Sequence, residues 1–176
     1  MAKDGKSIDL IPAKDRPDVL IPPAGLCSGT ALRKAARRVS LLYDEVIAST
    51  GLRSTQMAVL IHVARHRSPT MGELAAYLVI DRSALADNLK PLIRDGFIEV
   101  RACEQDKRTR RVRLTEAGYA KLSASMGLWR SAQHRFNTAF GLKEAVVLRQ
   151  ALARIVSDEF LAAFEQLDPE SDTAEG

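Results

Sequence analysis

The sequence predicts a mainly α-helical protein that contains one small β-hairpin. Apolar residues recur at helical spacing along most of the chain, and Ser, Thr or Asp stands where several helices would begin. Two short stretches alternate apolar and charged residues around a polar turn, which indicates a hairpin. With 176 residues, of which 46% are apolar and 27% charged, the chain can form one folded domain.

The positive charge of the chain is unevenly distributed. The formal net charge is +4, yet the segment from Asp158 to Gly176 contains seven acidic residues and no Lys or Arg. The remainder is therefore more basic than the total suggests, which suits a nucleic acid partner. No apolar run approaches the roughly 20 residues that span a bilayer, and two cysteines are too few for a disulfide framework. We therefore expect a soluble cytoplasmic protein with no membrane partner.

The N-terminal part predicts an arm followed by two helices. Residues 1–26 mix charges with four prolines and show no helical period, so we expect a flexible arm there. Apolar residues then follow one helix face until Gly51 ends the run. Ser54 and Thr55 are expected to cap a second helix, which Pro69 closes.

The next segment predicts two helices in close succession. Thr70 and Glu73 have the spacing of a capping box, which would begin a short third helix of about two turns. Asp81 would cap a fourth helix over residues 82–95, and Gly96 would take the left-handed conformation after it. Two helices separated by about three residues form a helix-turn-helix.

The fourth helix has two chemically different faces. At 100° per residue, Leu85, Leu89, Leu92 and Ile93 are expected to face the core, while polar residues occupy the opposite side. An amphipathic surface helix without a ligand would show the same pattern, but the neighbouring capped helix and basic hairpin favour DNA binding. The candidates for DNA contact on this helix are Arg82, Ser83, Ala86, Asp87, Lys90 and Arg94.

Within that set, charge suggests different roles. Arg82 or Lys90 could donate hydrogen bonds to guanine, and Asp87 could accept one from cytosine. Because Asp87 also repels phosphates, it would weaken binding to unmatched sequences.

The hairpin is strongly basic and carries a recognisable motif. Strands are expected at residues 97–101 and 111–114, with five Lys or Arg residues between Lys107 and Arg113. The segment from Asp106 through Arg108 to Leu114-Thr115 and Gly118 resembles the D-x-R…L-T-x-x-G wing signature of the MarR family. The order of elements resembles that family from about residue 27 to residue 164, including Met71-Gly72-Glu73-Leu74-Ala75 and Leu92-Ile93-Arg94-Asp95-Gly96-Phe97-Ile98.

The resemblance implies a winged helix-turn-helix with N- and C-terminal dimerisation helices. It implies that Arg108 enters the minor groove from the wing tip and that Asp106 orients it, although the pair could also do no more than close the turn. The N-terminal arm is longer than the family pattern, and Asp87 is unusual on a base-reading face, so no operator sequence is carried over. The hairpin candidates for DNA contact are Asp106, Lys107, Arg108 and Arg110.

The C-terminal helices predict a homodimer. A long helix is expected from Thr115 to Phe140, with a last helix from Leu142 to about Phe164 that is apolar around its middle. A helix that is apolar on all sides must be buried, and one small domain offers too little core for it. We therefore expect dimerisation through residues 27–50 and 116–164, DNA binding through residues 54–115, and an acidic tail over residues 165–176.

The family resemblance also implies regulation by a small aromatic or phenolic effector, in a repressor that binds a pseudo-palindromic operator. Two alternatives remain, a thiol-based redox sensor acting through Cys27 and a helical interaction module without DNA binding; a buried inert Cys27 is the simpler expectation. His62 and His66 have the spacing of a metal pair, but no further ligand stands in register, so no metal or cofactor is expected. No catalytic motif is present, so we expect no enzymatic activity.

Overall fold

The computed structural model of the chain describes residues 23–103 and 108–167. Within them the expectation of a mainly helical protein with one antiparallel hairpin is confirmed. A short 3-10 turn at Ala48–Thr50 follows the first helix. The helices and strands are α1 (Ser28–Ile47), α2 (Ser54–His66), α3 (Met71–Leu78), α4 (Arg82–Arg94), β1 (Ile98–Ala102), β2 (Arg110–Leu114), α5 (Glu116–Phe140), α6 (Leu142–Ile155) and α7 (Asp158–Gln166).

The chain divides into two units, residues 1–37 and 38–176. The first contributes the N-terminal half of α1, whose side chains are almost all exposed. In the second, Ile47 at the end of α1 is buried. Of the helices in the described ranges, none is long and apolar enough to cross a membrane.

The start of α2 differs from the expected cap. Ser54 is the first residue of the helix, and its backbone amide donates to Asp44 Oδ1 at 2.6 Å. The preceding amide of Arg53 donates to Gln56 Oε1 at 2.9 Å. The predicted Ser54 and Thr55 cap is therefore wrong, because acceptors from α1 and from the next turn of α2 already satisfy these amides.

The core of the second unit lies between α2, α3, α4, the hairpin and α5. On α4, Leu85, Leu89 and Leu92 are buried as expected, but Ile93 is 44% exposed, so its assignment to the core is wrong. At 100° per residue, Leu92 lies only about 20° around the helix from Leu85, whereas Ile93 lies about 80° away and turns towards solvent. The members of the core cluster on the other elements include Met57, Leu60, Val63, Leu74, Ile98, Val112 and Leu122.

The hairpin is tied to the segment that connects α2 and α3. Its register pairs Ile98 with Leu114 and places Val112 in the core. The Val112 amide donates to the Pro69 carbonyl at 2.8 Å, and Thr70 forms an isolated antiparallel bridge with Arg111. The α2–α3 connection is therefore bonded to the edge of β2, which holds the hairpin beside α3.

The C-terminal helices include a break that the sequence did not suggest. The long helix α5 begins after Thr115 and ends at Gly141, as expected. The predicted single last helix is two, because Ser157 adopts an extended conformation and its hydroxyl accepts a hydrogen bond from the Phe160 amide. Ser157 thus caps a new helix, α7. In this single chain most large apolar residues of α6 and α7 are exposed: Leu142, Val146, Val147, Leu152, Ile155, Phe160, Leu161 and Phe164.

Candidate nucleic-acid interface

Two side-chain caps begin the helices of the helix-turn-helix. Thr70 Oγ1 accepts from the Glu73 amide at 3.1 Å, and Glu73 Oε2 accepts from the Thr70 amide at 2.7 Å. Asp81 Oδ1 accepts from the Ser83 hydroxyl and the Ala84 amide at 2.6 and 2.7 Å. Both predicted caps are confirmed. These bonds, from the Thr70 backbone and the Ser83 hydroxyl respectively, hold the pKa of Glu73 and of Asp81 below its usual range.

The turn between α3 and α4 depends on a left-handed residue that is not glycine. Val79 has φ 52° and ψ 48°, and its amide donates to the Ala76 carbonyl at 3.1 Å. A β-branched side chain rarely adopts this conformation, because its Cβ approaches the following carbonyl. The turn between the two helices therefore contains a strained position with an exposed side chain.

The predicted contact residues of α4 lie on its outer side. Lys90 Nζ donates to Asp87 Oδ1 at 2.7 Å, with both side chains nearly three-quarters exposed, and Arg94 Nε donates to Asp95 Oδ1 at 2.8 Å. Exposed pairs of this kind contribute little to stability, so DNA could displace them. Ala86 is half-buried, and the exposed members of the predicted set are Arg82, Ser83, Asp87, Lys90 and Arg94.

Arg82 turns back towards α3. Its Nη2 atom lies 3.3 Å from the position that a Cβ on Gly72 would occupy. The guanidinium therefore lies beside the first turn of α3, at a residue that has no side chain of its own. This position suits a contact with a phosphate beside the helix terminus.

The hairpin arginines separate into two groups. Arg108 and Arg110 are exposed, whereas Arg111 Nη1 donates to the Ser68 carbonyl at 2.7 Å and Arg113 Nε donates to Ser68 Oγ at 2.9 Å. Arg111 and Arg113 thus hold the hairpin against the α2–α3 connection. The predicted contact set contains Arg108 and Arg110 and omits Arg111 and Arg113, but nothing in the basic run of the sequence indicated that these two would bind Ser68. The predicted contacts Asp106 and Lys107 lie outside the described residues.

A polar groove of about 330 Å³ connects the three elements. The start of α3 forms one side, Arg82 enters from α4, and two arginines enter from the hairpin. Backbone amides at a helix N-terminus and guanidinium groups both favour an anion. The groove joins positions up to 40 residues apart, which is why the sequence did not reveal it as a unit. Its lining residues are Thr70, Met71, Gly72, Arg82, Arg108, Thr109 and Arg110.

Comparison with known proteins identifies the family. The family model described as MarR family matches residues 50–109. The crystal structure of the Mycobacterium tuberculosis transcriptional regulator MosR in complex with DNA is 31% identical, and the match covers 80% of this chain and 99% of that chain with a TM-score of 0.69. The chain belongs to the MarR family.

Two further structures agree with this membership. A probable transcriptional regulator from Pseudomonas aeruginosa is 28% identical, with 73% of this chain and 96% of that chain covered and a TM-score of 0.66. The transcriptional repressor CouR, bound to a 23-mer DNA duplex, is 25% identical, with 74% and 93% covered and a TM-score of 0.68. Among proteins with curated descriptions, none matches the sequence.

The MarR-type wing signature has a physical basis in this chain. Thr115 Oγ1 donates to the Gly96 carbonyl at 2.6 Å and accepts from the Gly118 amide at 3.0 Å, so it links the end of α4 to the start of α5. A Cβ on Gly118 would overlap the Phe97 carbonyl oxygen and lie 2.9 Å from its carbon. The glycine is needed because the backbone that leads into β1 crosses the first turn of α5 at contact distance.

A smaller cavity of about 220 Å³ lies between α2, α5 and the C-terminal half of α1. His62 lines it, and the Nδ1 atom of this residue is buried without a hydrogen-bond partner among the described residues. Burial is the main cause that lowers the pKa of His62, with smaller contributions from Arg65 and His66. The other lining residues are Tyr43, Ile47, Ser54, Ala58, Ile61, Arg65 and Trp129.

The histidines of α2 stack with an aromatic residue of α3. The His66 and Tyr77 rings lie 3.9 Å apart with 13° between their planes, and His62 lies 6.0 Å from His66. Across the residues that the structure describes, no group of three or more His, Cys, Asp or Glu could hold a metal. The stacked rings of His66 and Tyr77 pack α2 against α3.

Cys27 differs from the simpler expectation, because it is exposed and not buried. The Thr30 hydroxyl and amide donate to its Sγ at 3.3 and 3.4 Å. The hydroxyl contributes most to lowering the pKa of the Cys27 thiol. The lowered pKa favours the reactive thiolate form of Cys27. Cys27 lies outside residues 50–109, which the MarR family model matches.

Proposed function

We propose that this protein, a DNA-binding transcriptional regulator of the MarR family, binds duplex DNA through α4 and the hairpin and holds a backbone phosphate between them. The polar groove carries this proposal. It brings Arg82, Arg108 and Arg110 together with the open first turn of α3, at Gly72. One phosphate there would engage both DNA-binding elements and fix the register of α4 on the duplex.

An opposing charge lies next to the lining residue Thr70. The carboxylate of Glu73 caps the same helix terminus, and its low pKa keeps it ionised near neutral pH. The net attraction for a phosphate must therefore come from the arginines, with the amides as additional donors. Arginine suits this role because its planar fork can bind two phosphate oxygens at once.

Base recognition is assigned to the outer side of α4. Ser83 and Ala86 lie on the N-terminal half of the helix, which reads base edges in this type of motif. In the free protein Asp87 and Lys90 form an ion pair. On DNA this pair would separate, so that Lys90 contacts a phosphate and the Asp87 carboxylate accepts a hydrogen bond from a cytosine. Arg94 lies about one turn after Lys90 on α4, where it would contact the DNA backbone.

We propose a homodimer as the DNA-binding form, acting in the cytoplasm on a pseudo-palindromic operator. The exposed apolar residues of α6 and α7 support it, because an apolar surface of that extent in one chain indicates a protein interface. Twofold symmetry would place two copies of α4 in successive major grooves.

We propose that the protein is a repressor and that a small aromatic or phenolic effector regulates it by binding in the cavity beside His62. The cavity is largely apolar and has a few polar side chains in its lining, among them Ser54, His62 and Arg65, as ligand sites commonly do. Trp129 lines the cavity and is the only tryptophan of the chain, so its fluorescence reports occupancy directly. Phenol should change this fluorescence in the natural protein and not in Ala58→Phe, whose ring fills the cavity; an equal change in both would remove the effector site.

A salt titration tests the phosphate groove. Binding of a labelled random duplex is measured by fluorescence anisotropy for the natural protein, Arg82→Ala and Arg130→Ala, the last removing an exposed arginine of α5 away from the groove. We expect Arg82→Ala to weaken binding and to lower the slope of log K against log salt by about one. Arg130→Ala should leave the slope unchanged. Equal slopes in all three proteins would remove Arg82 from the interface.

A second comparison tests base recognition by α4. Lys90→Ala should weaken cognate and random duplexes by similar factors, whereas Asp87→Ala should cost about 1–3 kcal/mol on the cognate site only. The cognate site is first selected from a random duplex pool. Equal losses on both duplexes for Asp87→Ala would mean that this residue does not read a base.

A further inference from the structure

Ser68 is the residue at which the α2–α3 connection holds two side chains of the hairpin. Its carbonyl accepts from Arg111 Nη1 at 2.7 Å, and its hydroxyl accepts from Arg113 Nε at 2.9 Å. The two arginines are two positions apart on β2, so their side chains leave the same face of the strand. One serine thus binds two successive side chains of that face, across 43 and 45 positions of sequence.

The backbone immediately before Ser68 is strained. Arg67 has φ 63° and ψ −51°, and the Ser68 amide donates to the His66 carbonyl at 2.7 Å. These features define a γ-turn with positive φ, which is rare and strained for a residue with a side chain. Strained backbone persists only where the surrounding structure fixes it, and it concentrates at functional positions. The hydrogen bonds from β2 to Ser68 belong to the contacts that fix this turn.

The charges on the hairpin explain why these arginines bind an uncharged residue. Arg113 lies opposite Glu99 in the register, but the Glu99 carboxylate accepts from Arg101 Nη2 at 2.7 Å. Arg111 lies opposite Arg101, and like charges in directly opposite positions repel each other. Ser68 therefore supplies both arginines with acceptors, and these bonds tie β2 to the α2–α3 connection.

The bonds at Ser68 connect two sides of the polar groove. Ser68 lies two residues before Thr70, which caps α3 and lines the groove. Arg110, which enters the groove from the hairpin, is the neighbour of Arg111 on β2. The hairpin is thereby held at a fixed distance from the start of α3, beside which Arg82 lies.

We infer that Ser68 is a positioning residue for DNA binding, which sets the separation of Arg82 and Arg110 so that both guanidinium groups bind one phosphate. The inference rests on the proposed phosphate groove and adds a residue outside its lining. Side chains keep a binding geometry only if the residues behind them fix their positions. Without the Ser68 hydroxyl the hairpin loses one of its restraints, and the two arginines contact DNA independently of each other.

The test measures the energetic coupling between Arg82 and Arg110. Affinity for a labelled random duplex is determined by fluorescence anisotropy at one salt concentration for the natural protein, Arg82→Ala, Arg110→Ala and the double variant. Two residues that bind one phosphate act as a unit. The loss of affinity in the double variant should therefore be at least about threefold smaller than the product of the two single losses.

The same four proteins are then compared with Ser68→Ala present in each. Arg113 loses its acceptor there, so the two losses should simply multiply. Ser68→Thr keeps a hydroxyl and should retain the coupling, whereas Arg113→Met removes the donor and should abolish it. Ser131→Ala is the matched control, because it changes a half-buried serine of α5 outside the groove, and it should leave the coupling unchanged. Circular dichroism checks that each variant keeps its helices.

Each outcome supports or overturns a defined statement. Coupling that persists in both Ser68→Ala and Arg113→Met would overturn the positioning role while leaving the phosphate groove standing. Coupling that is absent in Ser68→Thr, or reduced equally in Ser131→Ala, would overturn the role of the Ser68 hydroxyl. Multiplying losses in the natural protein would overturn the shared phosphate and the positioning role together.

Discussion

Replacing Gly118 by alanine tests how closely the hairpin approaches α5. The added Cβ would overlap the Phe97 carbonyl oxygen, which is a backbone atom and cannot rotate away. Either the first turn of α5 or the start of β1 must therefore shift, and overpacking of this kind costs about 1–3 kcal/mol. Alanine would recover at most about 1 kcal/mol of helix propensity. We expect a net loss of up to about 2 kcal/mol in the free energy of unfolding when the full gain in propensity is subtracted.

The matched control lies in the same helix. A Cβ on Gly127 would meet no atom within 4 Å, so Gly127→Ala should gain about 0.5–1 kcal/mol from helix propensity alone. The two variants make the same chemical change in one helix and should shift stability in opposite directions. The difference between them isolates the contact with Phe97.

Urea denaturation followed by circular dichroism measures both effects. All proteins are compared at one concentration, because the apparent stability of a dimer depends on concentration. Gly118→Ala should have a lower midpoint than the natural protein, and Gly127→Ala a higher one. If Gly118→Ala unfolds at the same or a higher urea concentration, the close crossing of α5 and the hairpin is refuted.

Three further predictions concern the DNA-binding elements. Glu73 has a lowered pKa in the folded protein, so its contribution to stability is present above the unfolded pKa of about 4.3 and is lost as pH falls from there through the lower folded pKa. The melting temperatures of Glu73→Gln and the natural protein should therefore approach each other as pH falls below about 4.3, and a constant difference would contradict this. Val79→Asn should raise the urea midpoint by relieving roughly 1 kcal/mol of left-handed strain, whereas a lower midpoint would mean that the turn is unstrained. Arg111→Met removes the hydrogen bond to the Ser68 carbonyl and should weaken DNA binding without changing the slope of log K against log salt. A slope reduced by about one would show instead that Arg111 contacts a phosphate.

Much of the helix-turn-helix could be predicted because its signals are local. The capping box of Thr70 and the cap at Asp81 involve atoms within three residues, and the left-handed position at Gly96 depends on one residue. Such features form in nearly the same way in any fold that keeps the helix. The family motif added the order of the elements.

Predictions of helix starts failed where several nearby residues could supply the cap. Ser54 and Thr55 are good cap residues, yet Asp44 and Gln56 supply the acceptors instead. Likewise, nothing in the apolar pattern of residues 142–164 marks Ser157 as a helix start, because a serine is also tolerated within a helix.

The sequence by itself determined which helices form, which of their faces are apolar and that the hairpin is basic. Only the tertiary structure decided where individual arginines bind. Arg82 lies beside Gly72, and Arg111 is bound to Ser68, which is 43 positions away in the sequence. It also decided that most large apolar residues of α6 and α7 stay exposed in one chain. The physical reason is the range of the interactions: caps and periodicity act within a few residues, whereas a guanidinium finds its partner only after the chain has brought distant segments together.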